Sequence, residues 1–380
     1  MKIGLICPYD IAKAGGVQEI TISLKNDLIK RGHQVKIITP QANKINDLDV
    51  KDVIFIGESK SMRSPTHTTV QVGATNKLSK IDEILSKENF EILHFHEPWV
   101  PVLSRQILQM SKSINIATFH AKVPETQLSR TVTKVFTPYL KSVLDNIDIM
   151  TAVSNSAAEY AQSLTERPIT LIPNGIDIKD YQVNQSSLKT KHPTILYIGR
   201  LERRKGVKYL LKAFALLQTS HPDLNLLIAG DGPDRKKLES LAVELKLVNV
   251  QFLGYISESY KKELLNQADL FCSPAIYGES FGIVLLEAMA ANLVTVAGDN
   301  SGYKEVLSDV GSLSLVDPRK VEDLAQKLEL FLYNKALRSL WQKWAKDYIY
   351  KYDFSAVVDQ YEALYLNALN NKHHYIKSNT

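Results

Sequence analysis

Two carboxylates, a run of cations and a pair of adjacent glycines are the residues of this sequence best placed to do chemistry. Glu279 and Glu287 stand eight positions apart, enclosing Ser280, Phe281, Gly282 and Ile283. That spacing is a little over two helical turns, so both carboxylates fall on nearly one helix face. Carboxylates accept hydrogen bonds from paired hydroxyls, such as those of a sugar ring and a ribose. Glu287 lies in an otherwise apolar stretch, where a charge needs a partner or a ligand. The run Gly199-Arg200-Leu201-Glu202-Arg203-Arg204-Lys205-Gly206 gathers cations ahead of a helical segment. Cations are disfavoured at a helix start unless an anion joins them. Arg200 and Lys205 would then supply the forked and point-charge contacts to a diphosphate. Finally, Gly15 and Gly16 close a loop after the first apolar run and open a helical pattern. Without Cβ atoms, glycines let backbone amides approach a phosphate at a helix N-terminus. The loop is neither G-x-G-x-x-G nor a Walker loop, which disfavours a nicotinamide dehydrogenase.

These groups sit in strand-to-helix loops. Short β-rich apolar runs at 3–7, 35–39, 53–56, 92–96, 114–119, 149–153 and 169–172 alternate with helical patterns at 16–30, 81–87, 100–110, 128–144 and 156–164. A second series follows, with strands at 194–198, 224–229, 250–253, 270–273 and 293–297 and helices at 207–217, 235–245, 261–267 and 282–291. Runs this apolar must be covered on both faces, and parallel strands need helical crossovers, so the fold class is α/β with two doubly wound domains. The polar stretch 179–193 has the composition of a linker. The expected domains are 1–180 and 190–351, with a helical C-terminus to about residue 370 and a frayed tail from 371 to 380. Ligands of such folds are held at the carboxyl ends of the strands.

Composition narrows the function classes. A chain of 380 residues with 44% hydrophobic and 23% charged residues has the ordinary globular balance. Its net charge of +5 is mild, with no basic arm, which argues against nucleic acid as a partner. The two cysteines, Cys7 and Cys272, each lie in an apolar run and suggest neither a disulfide framework nor a metal cluster. The five-residue apolar run at the N-terminus is too short for a signal-peptide core, and no stretch has the ~18 apolar residues of a spanning helix. A cytoplasmic location is expected. Leu128, Val132, Val135, Phe136, Tyr139, Leu140, Val143 and Leu144 form an apolar stripe near Lys122, Arg130, Lys134 and Lys141. Such a stripe serves either as core or in peripheral contact with the cytoplasmic membrane face.

Five motifs occur together in the order seen in family 4 glycosyltransferases. They are Gly15-Gly16-Val17-Gln18, Ile172-Pro173-Asn174-Gly175-Ile176-Asp177, Gly199-Arg200 with Lys205-Gly206, Ala229-Gly230-Asp231-Gly232-Pro233, and the Glu279 to Glu287 segment. The sequence resembles that family over almost its whole length. His94-Phe95-His96-Glu97-Pro98, Thr118-Phe119-His120 and Gly278-Glu279-Ser280-Phe281-Gly282-Ile283-Val284 look like its phosphatidylinositol mannosyltransferase branch. The resemblance implies the GT-B fold, two Rossmann-like domains facing across a cleft, with the acceptor on the first and the nucleotide sugar on the second. A last helix, about 352–371, is expected to cross back to the first domain.

The same resemblance implies a retaining hexosyltransferase that moves mannose from GDP-mannose to a hydroxyl of a lipid or glycan acceptor by front-face attack. No metal and no cofactor are expected, because Arg200 and Lys205 would neutralise the diphosphate. Gly16, beside Gly15, would offer its amide to the β-phosphate, and Glu287 would hold the ribose. Glu279, with Ser280 beside it and the amides of Phe281, Gly282 and Ile283, would grip the sugar, while Ile256 and Glu258 would meet the base. His120 would orient the sugar 6-hydroxyl and stabilise developing positive charge. Ile20 and the stretch 57–72, with Lys60, Arg63 and His67, depart from the lipid-acceptor pattern. Two other readings compete: a nucleotide-sugar epimerase of similar architecture, and a non-catalytic nucleotide-sugar-binding subunit. Intact His120, Arg200, Lys205, Glu279 and Glu287 weigh against the latter.

Overall fold

The computed structural model describes residues 1–13, 15–41, 50–63, 69–74, 78–100, 102–121, 137–182 and 191–371, with the stretches 58–63 and 69–74 described by backbone alone. The apolar stripe up to Phe136 with Lys122, Arg130 and Lys134, the loop residue His67, the middle of the expected linker and nearly all of the C-terminal tail lie outside the described residues. The chain divides into two compact units, Met1–Asn174 with Ser355–Thr380, and Gly175–Phe354.

The first unit holds an eight-stranded sheet in the order β4-β3-β2-β1-β5-β6-β7-β8. Its strands are β1 (Lys2–Ile6), β2 (Gln34–Gln41), β3 (Val53–Arg63), β4 (Thr69–Ala74), β5 (Ile92–His96), β6 (Ile114–Phe119), β7 (Ile149–Ala152) and β8 (Ile169–Leu171). All neighbours are parallel except β3 and β4. The central β5 and β6 are buried at every residue, as sequences covered on both faces must be. The strand order turns at β1, between β2 and β5, which is where doubly wound sheets open a crevice at their carboxyl ends.

From Ser355 on, the helix Phe354–Asn370 belongs to this unit, burying Val357, Val358, Tyr361 and Tyr365. Its outer side is fastened by Arg31, whose Nη1 lies 2.5 Å from Asp359 Oδ1 and 2.8 Å from Glu362 Oε2. His33 Nε2 lies 2.7 Å from the other Glu362 oxygen, and together these hold the Glu362 carboxyl below its usual range.

The second unit has a six-stranded parallel sheet in the order β11-β10-β9-β12-β13-β14, the doubly wound sequence 3-2-1-4-5-6. Its strands are β9 (Thr194–Ile198), β10 (Asn225–Ala229), β11 (Val250–Gly254), β12 (Leu270–Ser273), β13 (Thr295–Gly298) and β14 (Leu315–Val316). Helices Val321–Tyr333 and Lys335–Tyr348 follow.

The structure departs from the sequence-based expectations in several places, among them the helix expected over 100–110, which starts at Leu103. The boundary drawn at residue 180 falls earlier. Residues 175–181 group with the second unit, because the short 3-10 helix Ile178–Tyr181 buries Ile178 and Tyr181 there, and Asp180 accepts from Lys262 Nζ at 2.6 Å. Its exposed Lys179 and Asp180 give it the polar composition of a linker. Strand β4 was not expected; it pairs antiparallel with the extended end of β3 across the stretch that departs from the lipid-acceptor pattern. The helix expected over 282–291 is Ile283–Ala290, because Gly282 takes a left-handed cap conformation at φ 108°.

Candidate active site

Each unit carries polar groups at the carboxyl ends of its central strands. In the first, β5 and β6 run parallel with His96 beside Thr118, and the chain leaves β5 at Glu97, whose backbone is left-handed at φ 51°. A non-glycine residue in that region is strained and persists where surrounding bonds fix it. Here the Glu97 amide donates to Thr118 O at 2.9 Å. The buried Glu97 carboxylate accepts from the His120 amide, and from the Ala121 amide at 2.6 Å. Burial pushes its pKa up to about 7, against the pull of those two amides.

Three buried imidazoles line these strand ends. His94 is filled on both sides, with Nδ1 2.7 Å from Tyr365 OH and Nε2 2.6 Å from Thr118 Oγ1, which itself lies 2.6 Å from Thr151 Oγ1. His96 Nδ1 lies 2.9 Å from His120 Nε2. Burial pushes His94 down to about 3 and His120 to about 4, the latter opposed by the Asn174 side chain, and pushes His96 well below its ordinary value. All three rings are therefore neutral near pH 7. His120, expected at a strand end, stands directly after β6. Gly15 and Gly16 stand where expected, as the cap and first residue of helix Gly16–Lys30. Gly15 is extended at φ 174°, a conformation open to any residue, so the turn itself does not require glycine there.

In the second unit, the loop after β9 forms a 3-10 turn, Arg203–Lys205, ended by Gly206. Glu279 Oε1 accepts from both Arg204 Nη1 at 2.6 Å and Lys205 Nζ at 2.8 Å. Glu202 accepts from Arg204 Nε at 3.1 Å and pairs with Arg200 Nη2 at 2.9 Å. Arg200 is the more accessible of the three cations, with its side chain 54% exposed against 16% for Lys205. Burial alone would lower the Arg204 pKa, but Glu279 and Glu202 outweigh it and hold the guanidinium above its usual value. Two carboxylates thus hold three cations in one loop, with Glu279 delivered by the segment leading to helix Ile283–Ala290. Ser280 adjoins it, Phe281 is buried, and Gly282 and Ile283 present the start of that helix.

Glu287 is 95% buried within this helix and is not bare: Lys261 Nζ at 2.7 Å and Tyr181 OH at 3.0 Å both donate to its Oε1. Lys261 also pairs with the exposed Glu258 at 2.7 Å. Burial would lower the lysine, yet the two carboxylates raise it above its ordinary value. Ile256, half-buried, stands two residues before Glu258 in the loop after β11. The structure therefore groups Arg200, Lys205 and Glu279 at one strand end, and Glu258 with Glu287 through Lys261. Sequence reasoning missed Arg204, Lys261 and Tyr181. Lys261 had a signal, standing three positions after Glu258 on one helix face; Arg204 had none that separated it from its neighbours.

Two family descriptions divide the chain between them: "Glycosyltransferase Family 4" matches residues 14–180, and "Glycosyl transferases group 1" matches residues 179–348. A phosphatidyl-myo-inositol mannosyltransferase of Mycobacterium tuberculosis is 33% identical over 96% of both chains. That of Mycolicibacterium smegmatis is 31% identical over 96% of this chain and 93% of its own. Among solved structures, a glycosyltransferase from Rickettsia africae superposes with a TM-score of 0.78 at 22% identity, covering 97% of this chain and 98% of the other. An Anabaena protein, HepE, in complex with UDP and glucose also reaches 0.78, at 17% identity over 96% and 99%. These likenesses extend the fold over the whole chain, and the 31–33% identities decide the lineage: the chain belongs to the family 4 glycosyltransferases, with the GT-B fold.

Proposed function

We propose that this glycosyltransferase moves mannose from GDP-mannose to a hydroxyl of a lipid-linked or glycan acceptor, retaining the anomeric configuration and using no metal. The observation that carries the reading is the cation cluster in the loop after β9, where Glu279 fixes Arg204 and Lys205 by one oxygen and Glu202 holds Arg200. Such a cluster suits a diphosphate leaving group: fixed cations stabilise the charge that builds on the departing phosphate without reorganising. The mannosyl donor and the lipid-linked acceptor rest on the names of the curated relatives. Peripheral contact with the cytoplasmic membrane face belongs to the same proposal; among the described residues no helix is long and apolar enough to cross a membrane.

Neither of the two carboxylates expected to hold the donor is left to act as a base. Glu279 is engaged by two cations and Glu287 by a lysine and a tyrosine. A scheme built on two catalytic carboxylates lacks its parts. In front-face attack the acceptor hydroxyl bonds to the anomeric carbon as the diphosphate departs, and the departing phosphate oxygen takes the hydroxyl proton. His120 assists by orientation and electrostatics.

The reading is tested by incubating the protein with GDP-mannose, with and without lipid and glycan acceptor mixtures. Acceptor-dependent GDP release is expected; isomerised donor, or binding without turnover, rejects transfer. Proton NMR of the product should show the α-anomeric signal of the donor kept, and a β-linked product rejects the mechanism. Activity should persist in excess EDTA, since on this reading the cations would supply the charge that a divalent ion supplies in metal-dependent transferases. Loss in EDTA with recovery on adding Mn²⁺ rejects metal independence.

A further inference from the structure

The hydrogen bond between His96 and His120 joins a residue with no assigned role to the histidine given a part in transfer. Both rings are more than nine-tenths buried. Their Nδ1 and Nε2 atoms are 2.9 Å apart across adjacent parallel strands, with ring centres 5.2 Å apart. The other two nitrogens, His96 Nε2 and His120 Nδ1, are buried and make no well-aligned hydrogen bond among the described residues, although the Asn174 side chain stands close enough to His120 to favour its protonated form. Buried polar atoms rarely go unsatisfied, so an unfilled ring nitrogen beside a filled one points to a group that arrives from outside.

We propose that His96 is a positioning residue for His120, fixing its ring orientation and dictating which nitrogen of His120 carries the proton. This rests on the transferase reading above. The logic is strict because the shared bond needs one donor and one acceptor. If His96 bears its proton on Nδ1, it donates to His120 Nε2, and the His120 proton must sit on Nδ1, available there as a donor. If His120 bears its proton on Nε2, it donates to His96 Nδ1, and the His96 proton sits on Nε2, leaving His120 Nδ1 as an acceptor. In both states the two neutral rings adopt the same tautomer. Mixed tautomers would put two protons or two lone pairs against each other. The His120 nitrogen left for a sugar hydroxyl is therefore Nδ1, and His96 sets whether it gives or takes the hydrogen bond.

His94 stands apart from this coupling. Its ring centre lies 4.4 Å from that of His96, but both of its nitrogens are filled by Tyr365 and Thr118.

Imidazole ¹⁵N shifts of the protein as it stands, assigned through His96→Asn and His120→Ala, should show His96 and His120 in matching tautomers; mismatched tautomers overturn the proposal whatever the activity. In turnover, His96→Leu should lower kcat about tenfold, as loss of one buried hydrogen bond would, with donor KM nearly unchanged. His96→Asn, which keeps a polar atom near the Nδ1 position, should recover most of it. Added to His120→Ala, His96→Leu should cost nothing further, since its effect runs through His120. A purely structural role predicts effects that multiply, and that result overturns the proposal. Should His96→Leu fail to fold, the tautomer measurement and the asparagine variant still decide. A parent protein that transfers no sugar while its tautomers match refutes the transferase reading and leaves the histidine coupling standing.

Discussion

Lys205→Ala is expected to lower kcat/KM for the sugar nucleotide by about 10- to 150-fold, the loss of about 1.5–3 kcal/mol that follows removal of a charge-assisted contact to a desolvated phosphate. The side chain is only 16% exposed, and its Nζ is held 2.8 Å from Glu279 Oε1, so the charge is in place before a ligand arrives. Little reorganisation then opposes the interaction, and that is where fixed charges gain their effect. Removing the lysine leaves Glu279 bonded to Arg204 at 2.6 Å, so no carboxylate is stranded and the melting temperature should move by no more than a few degrees. Arg200→Ala should fall in the same range for activity, with a still smaller effect on stability, since its side chain is 54% exposed and its ion pair is with Glu202. Parental kinetics in both variants, with GDP-mannose and other sugar nucleotides alike, would remove the diphosphate from this loop. A collapse of Tm in Lys205→Ala would instead make the lysine a structural ion-pair partner.

How much of this was legible in the sequence follows from what each residue does in the fold. Strands β5, β6, β9 and β12 could be read because central parallel strands are buried on both faces and must be apolar at successive positions. Strand β4 lies at the sheet edge, where no such demand exists and the polar stretch 57–72 carries no strand signal. The 3-10 helix Ile178–Tyr181 was hidden for a similar reason: two of its four residues are buried, and the other two are charged. At the site, the reasoning that an acid in an apolar helix needs a partner was sound for Glu287, but composition alone could not name Lys261 and Tyr181, since Tyr181 stands 106 positions away. Arg203, Arg204 and Lys205 are adjacent and alike in charge. Which of them meet Glu279 depends on the direction of a three-residue turn, which only coordinates fix.

Gly206→Ala should cost more stability than any substitution of a charged residue nearby, and it should take activity with it. Gly206 is left-handed at φ 72°, and a Cβ there would lie 1.9 Å from Pro274 O, a backbone atom with no side-chain freedom to yield. Gly32 offers the comparison: it is also left-handed, at φ 88°, but a Cβ there meets nothing within 4 Å. Gly32→Ala should therefore cost only the conformational penalty of about 1–2 kcal/mol. Gly206→Ala adds a backbone overlap and should exceed about 4 kcal/mol, lowering Tm by about 10 °C or more. The overlap can be relieved only by parting the turn Arg203–Lys205 from the segment 274–276, which are joined by the Ile276 amide donating to Arg204 O at 2.8 Å. Glu279 follows that segment by three residues, so the parting pulls its carboxylate away from Arg204 and Lys205 and undoes the cation cluster. Below its melting transition, folded Gly206→Ala should thus lose donor kcat/KM at least as severely as Lys205→Ala, about 10-fold or more. Equal Tm losses for Gly206→Ala and Gly32→Ala would show that the loop yields without strain. A destabilised but fully active Gly206→Ala would show that the cluster geometry does not govern donor use.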